Sequence, residues 1–142
     1  MAKNKRCGEC GSYETGYRDS AGPFPWKDYR QVLLASPIRV LTCAKCGNEM
    51  SLPGDAKKLD QAIEETITLQ SQRFIDQIIA REHCRQIDLA AILGVTPEHL
   101  SAIKGGARIP SFQTFNFLKT LALDANAFKV ADPANFPKAA NY

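Results

Sequence analysis

The chain is expected to be an α+β protein, a small β-rich N-terminal domain followed by an all-α C-terminal domain. Three observations predict this. Gly and Pro recur up to Gly54 and are then absent until Gly94. Strand-like runs, Arg30-Gln31-Val32-Leu33-Leu34 and Ile38-Arg39-Val40-Leu41, fall before that change. Apolar residues at three- and four-residue steps fall after it.

With 142 residues, 44% of them hydrophobic and 8% aromatic, the chain reads as soluble and globular, with room for one ordinary domain or two small ones. A domain of roughly 50 residues buries too little surface to be comfortably stable, so a metal or disulfide staple is expected in one of them. There is no apolar run of about 18 residues, and the opening Met1-Ala2-Lys3-Asn4-Lys5-Arg6-Cys7 lacks the apolar core of a signal peptide. No membrane association is expected, and a cytoplasmic location is. In that reducing compartment paired cysteines are read as metal ligands before disulfides.

Residues 1–54 form the first domain. Four of the five cysteines stand in two clusters, Cys7-Gly8-Glu9-Cys10-Gly11 and Cys43-Ala44-Lys45-Cys46-Gly47. Two residues between thiolates let one tight turn aim both sulfurs at a single ion, and two such turns fill the four tetrahedral positions that zinc prefers. A glycine after each second cysteine can take positive φ, leaving backbone N–H groups to aim at sulfur. Cys7, Cys10, Cys43 and Cys46 are therefore the expected ligands of one structural Zn2+ per chain. A closed tetrathiolate shell leaves no position for a catalytic water. Its charge near −2 would be offset by Lys5, Arg6 and Lys45. The long segment between the clusters must form structure of its own, and its Tyr13, Tyr17, Phe24, Trp26 and Tyr29 are either packing for a β core or exposed anchors for a partner.

Residues 55–72 read as a helical linker, with Asp55 as N-cap and Leu59, Ile63 and Ile67 near helical spacing. The register drifts at Gln70-Ser71-Gln72, where the helix would break or bend if it does so anywhere. Residues 73–130 form the second domain, and residues 131–142 are tail. Phe74, Ile75, Ile78 and Ile79 open the domain. A helix over about 85–93 buries Leu89, Ala90 and Leu93 and ends at Gly94. Thr96 caps the next helix, Pro97 occupies its first position, and Leu100 and Ile103 face inward. Gly105-Gly106 stop it, and a closing helix repeats Phe112, Phe115, Leu118, Leu121 and Ala122. Cys84 is expected as a small buried hydrophobe between two helices. Its neighbour His83 makes no dyad with it, because consecutive helical residues point about 100° apart.

The pattern Gln86, Leu89-Ala90, Leu93-Gly94-Val95, Thr96 and Gly106 to Pro110 resembles the Xre/Cro repressor-type helix-turn-helix, over about 50 residues. The resemblance implies a lambda-repressor-like fold, with Gln86 on a phosphate, Thr96 at the DNA backbone, and Pro97, Glu98, His99 and Ala102 facing bases. Pro97 and Ala102 offer no side-chain hydrogen bond. Glu98 repels phosphate and accepts only from a cytosine amino group, so His99 and Ser101 are the expected direct readers, with Lys104 and Arg108 on phosphates. The net charge of +3 is spread evenly, 8 basic and 6 acidic groups over residues 1–55 against 10 and 9 over 56–142. DNA affinity would therefore depend on local placement of these groups.

Two Cys-x-x-Cys pairs, a helical linker and this helix-turn-helix, in that order, resemble the MqsA antitoxin family with its YgiT-type zinc finger, over nearly the whole chain. The resemblance implies a homodimeric autorepressor on a palindromic double-stranded operator, whose zinc domain masks a small ribonuclease toxin. The family reads bases with an Asn and an Arg where this chain has Glu98 and Ala102. A stand-alone regulator of phage or mobile-element origin, without a toxin, is the alternative. Enzymatic activity is not expected, since His83 and His99 assemble no acid/base or nucleophile constellation.

Overall fold

The computed structural model describes residues 4–136, and the last six residues of the expected tail, 137–142, lie outside that range. Among these residues the architecture is α+β, five short strands followed by five α-helices. The chain divides into two compact units, Met1–Thr66 and Ile67–Tyr142. Among the described residues no helix is long and apolar enough to cross a membrane.

In the first unit β1 (Thr15–Ser20), β4 (Ile38–Cys43) and β5 (Glu49–Met50) form an antiparallel sheet in the order β1-β4-β5. Between β1 and β4 the chain makes a hairpin from β2 (Phe24–Trp26) and β3 (Tyr29–Val32). The strand-like run at 30–34 thus ends early, at Val32. Leu33 is 62% exposed, while Leu34 is buried outside the ladder, its N–H donating to the Ala21 carbonyl at 2.8 Å. The alternative readings of the aromatics divide between residues. Phe24, Trp26 and Tyr29 are buried, Trp26 and Tyr29 with ring centroids 5.9 Å apart, whereas Tyr13 and Tyr17 are exposed. Burial pushes the Tyr29 hydroxyl well above its ordinary pKa, with the Asp28 charge adding to the effect.

Helix α1 spans Pro53–Glu82 and starts earlier than its sequence suggests. The Leu52 carbonyl already accepts the Ala56 N–H at 2.9 Å, and Pro53, with its φ set for a helix and no N–H to satisfy, suits the first turn. Asp55 is consequently inside that turn and is not the N-cap. Its carboxylate accepts the Tyr17 hydroxyl at 2.9 Å instead, a bond that holds the Tyr17 pKa above its ordinary value. Nor does the helix break at Gln70-Ser71-Gln72. Ser71 is fully buried, and its hydroxyl donates to the Ile67 carbonyl one turn back at 2.7 Å, so a polar residue enters the interior without an unmet hydrogen bond.

The second unit closes around Ile75, Ile78, Leu89, Leu100, Ile103, Leu118 and Leu121, with Phe128. These side chains come from α1, α2 (Gln86–Leu93), α3 (Pro97–Lys104), α4 (Phe112–Leu123) and α5 (Ala125–Ala131). Phe112, expected on the inward stripe of α4, sits at its first position and stays 38% exposed; Leu93, at the last position of α2, is half-buried. Arg81 donates to the terminal α4 carbonyls of Leu121 and Ala122 at 2.7 and 2.8 Å, satisfying groups that a helix end leaves open. His83 and Cys84 lie in the turn after α1, with His83 at φ 51°, so the argument from consecutive helical residues does not apply to them. Cys84 is half-buried against the core, and burial raises its thiol pKa. The tail carries some structure. Ala131 closes α5, and Pro133–Asn135 form a single 3-10 turn capped by Asp132.

Candidate metal centre and helical surface

The register of the first sheet assembles the cysteine site. Thr15 pairs with Cys43 and Ser20 with Ile38, so the segment leading into β1 and the segment leaving β4 emerge at the same end. The two knuckles then repeat one pattern of backbone bonds. The Cys7 N–H donates to the Ser12 carbonyl at 2.8 Å and the Gly11 N–H to the Cys7 carbonyl at 3.0 Å. The corresponding bonds from Cys43 to Asn48 and from Gly47 to Cys43 are 2.9 and 2.8 Å. Gly11 and Gly47 close these turns at φ 72° and 77°, a region that side-chain-bearing residues avoid. The Ala44 N–H, bonded to the Glu14 carbonyl at 2.7 Å, ties the second knuckle to the first strand, and the Thr15 hydroxyl bonds the Lys5 carbonyl.

All four sulfurs lie within 4.8 Å of one another, with Cys7 to Cys46 at 3.5 Å and Cys10 to Cys43 at 3.6 Å. All are free thiols rather than disulfide partners. The separations suit a tetrahedral metal ion, for which metal–sulfur bonds of about 2.3 Å put sulfurs roughly 3.8 Å apart. Cys7 and Cys43, the first of each pair, are buried, while Cys10 and Cys46 are exposed. The Cys10 and Glu9 N–H groups hold Cys7 down at about 6, and those of Cys46 and Lys45 lower Cys43. At Cys46 the Asn48 N–H favours the thiolate, but burial and hydrogen bonds with the other three sulfurs prevail and push it up to about 12. Backbone amides thus do aim at sulfur, as the turns require, although the glycine N–H groups themselves serve carbonyls. The Asn48 side chain, which the sequence did not single out, donates to the Cys7 sulfur at 3.9 Å.

Metal binding displaces the protons still on sulfur. Affinity is therefore expected to fall as pH drops, because more thiols must be deprotonated to bind. Competition titration with a chromogenic chelator checks this, and an affinity unchanged between pH 5 and 7 contradicts it.

In the helical unit the expected contact residues separate. Gln86, Ile87, Pro97, Glu98, Ser101 and Ala102 line one open groove between the start of α2 and the outer face of α3. Thr96 caps α3, accepting the His99 N–H at 3.1 Å, and Leu100 and Ile103 anchor the helix with no exposure at all. His99 is half-buried and is not among the groove residues. Lys104 and Arg108 are exposed outside the groove, and Lys104 faces Asp76 at 3.7 Å. Sequence reasoning overlooked three contributors here. Ile87 is 52% exposed on the groove. Gln72 donates to the Lys104 carbonyl at 2.9 Å, securing the end of α3 from α1. Asp88 accepts the Arg85 N–H at 3.0 Å and pairs with its guanidinium, which keeps the Asp88 carboxyl below its usual range. An Asp three residues after Arg85, the residue that precedes the helix, was the available signal for that last bond.

Against models of protein families, curated proteins and solved structures, the chain finds no match.

Proposed function

We propose that this chain is a DNA-binding transcriptional regulator of the MqsA antitoxin type. It acts by occupancy rather than turnover. Its four cysteines hold one structural Zn2+, the zinc unit binds and masks a small ribonuclease toxin, and the helical unit binds a palindromic operator as a homodimer. The observation that carries the reading is the α3 surface. A short helix, capped by Thr96 and seated on fully buried Leu100 and Ile103, turns Glu98, Ser101 and Ala102 outward beside Gln86 at the start of α2. Two such helices about 34 Å apart in a dimer would meet successive major grooves of one duplex. Four cysteine sulfurs within 4.8 Å of one another suit zinc, which takes four tetrahedral thiolates in its structural sites and then has no open position for chemistry.

Glu98 and Ala102, standing where the antitoxin family has Asn and Arg, favour a second reading in which the same regulator works without a toxin. Two measurements separate them. Footprinting on the DNA upstream of its own gene should give a two-fold symmetric protected site, with affinity falling steeply as salt rises. Co-expression with a toxin-sized neighbouring reading frame should yield a stable complex. A footprint without a complex selects the stand-alone regulator, and the absence of salt-sensitive affinity for any duplex rejects both.

A further inference from the structure

Ser101 and Ala102 stand three and four residues after Glu98, one turn further along α3, and line the same groove as Glu98, Gln86 and Pro97. Among the described residues Glu98 is the one charged side chain lining that groove. Its carboxylate is exposed and forms no hydrogen bond or ion pair with them, whereas Asp76 and Asp88 are engaged by Lys104 and Arg85. An ionised carboxylate can only accept hydrogen bonds. It gains nothing from phosphate, and in the major groove guanine and thymine present it only acceptors. Adenine sets its amino donor beside the N7 acceptor, and cytosine presents an amino donor alone. Ala102 lies one turn further on, about 6 Å along the axis, which corresponds to roughly two base steps of 3.4 Å. Its methyl has no polar atom to satisfy and suits the C5-methyl group of thymine.

We infer that Glu98 and Ala102 are specificity-determining residues, Glu98 selecting a cytosine and Ala102 a thymine within about two base pairs of it in each operator half-site. The inference rests on the DNA-binding reading above and names the sequence class that this reading left open. It also moves base discrimination away from His99, which stands off the groove.

Selection of the full-length protein against a randomised duplex pool, followed by binding measurements on the selected duplex at fixed salt, tests it. The wild type should enrich the cytosine and thymine pair and lose about tenfold or more in affinity when the cytosine is changed. Glu98→Gln, nearly isosteric at an exposed position, should keep the helical circular dichroism and shift that position to adenine, the base a carboxamide reads. Replacing the thymine by deoxyuridine, which lacks only the methyl, should weaken the wild type and leave Ala102→Gly unaffected. If Glu98→Gln selects the same bases as the wild type, or the wild type ignores deoxyuridine, the inference is overturned while DNA binding stands. If the wild type enriches nothing and binds no duplex, both readings fall together.

Discussion

Replacing Cys43 with Ser is expected to abolish metal binding and unfold the first unit, taking metal content from one ion per chain to none after dialysis. Cys43 ends β4, is fully buried, and has its sulfur 3.6 Å from that of Cys10. Serine keeps the volume but stays protonated near neutral pH and is a poor ligand for a borderline-soft ion. Binding to a structural tetrathiolate site is worth on the order of 10 kcal/mol or more, and that free energy is folding free energy. The remaining core of this unit, a handful of residues around Phe24, Trp26, Tyr29 and Val40, is small for a domain that must stand without a staple. Metal analysis and limited proteolysis of the full chain check the result. The apolar core cluster of the helical unit includes no described residue before Phe74, so that unit's own unfolding transition should persist. A Cys43→Ser protein with intact strands and no metal would refute the stapling role.

The second large effect belongs to the helical unit. Leu118→Ala should destabilise it by about 3 kcal/mol, within the range of roughly 2–5 kcal/mol for emptying a buried leucine site. Leu118 has no exposed surface and stands among Ile75, Ile78, Leu89 and Leu100 in the core cluster. A unit of this size holds only about 4–11 kcal/mol in total, so the variant should sit near the edge of folding at 37 °C. Leu123→Ala on the same helix is the control. With Leu123 70% exposed, its loss should move the midpoint by no more than about 0.5 kcal/mol. Urea denaturation followed at 222 nm distinguishes the two, and equal effects would show that the core is not where the buried leucines place it.

Local signals made much of the helical unit legible. Thr96 before Pro97 and Gly94 after Leu93 act within one turn of backbone and are found as read, and the α4 stripe holds from Phe115 to Ala122, though not at Phe112, its expected start. The α5 helix escaped because its evidence is slight, an Asp124 cap accepting the Asn126 N–H and the single buried residue Phe128. Strand β1 escaped for a different reason. Gly16, Tyr17, Arg18 and Asp19 are all exposed, so no apolar alternation marks them, and pairing with β4 alone makes them a strand.

The sequence by itself determined which sulfurs belong together and where a capped helix begins, because thiol spacing, the glycines after Cys10 and Cys46 and the Thr96-Pro97 pair depend on neighbouring residues only. Only the tertiary structure decided that the two knuckles meet, that Gln86 shares a groove with Glu98 and Ala102 while His99 does not, and that Gln72 holds the end of α3 from thirty-two residues away. Those relations rest on strand register and helix packing, which follow from many distant contacts at once and leave no mark on any short stretch of chain.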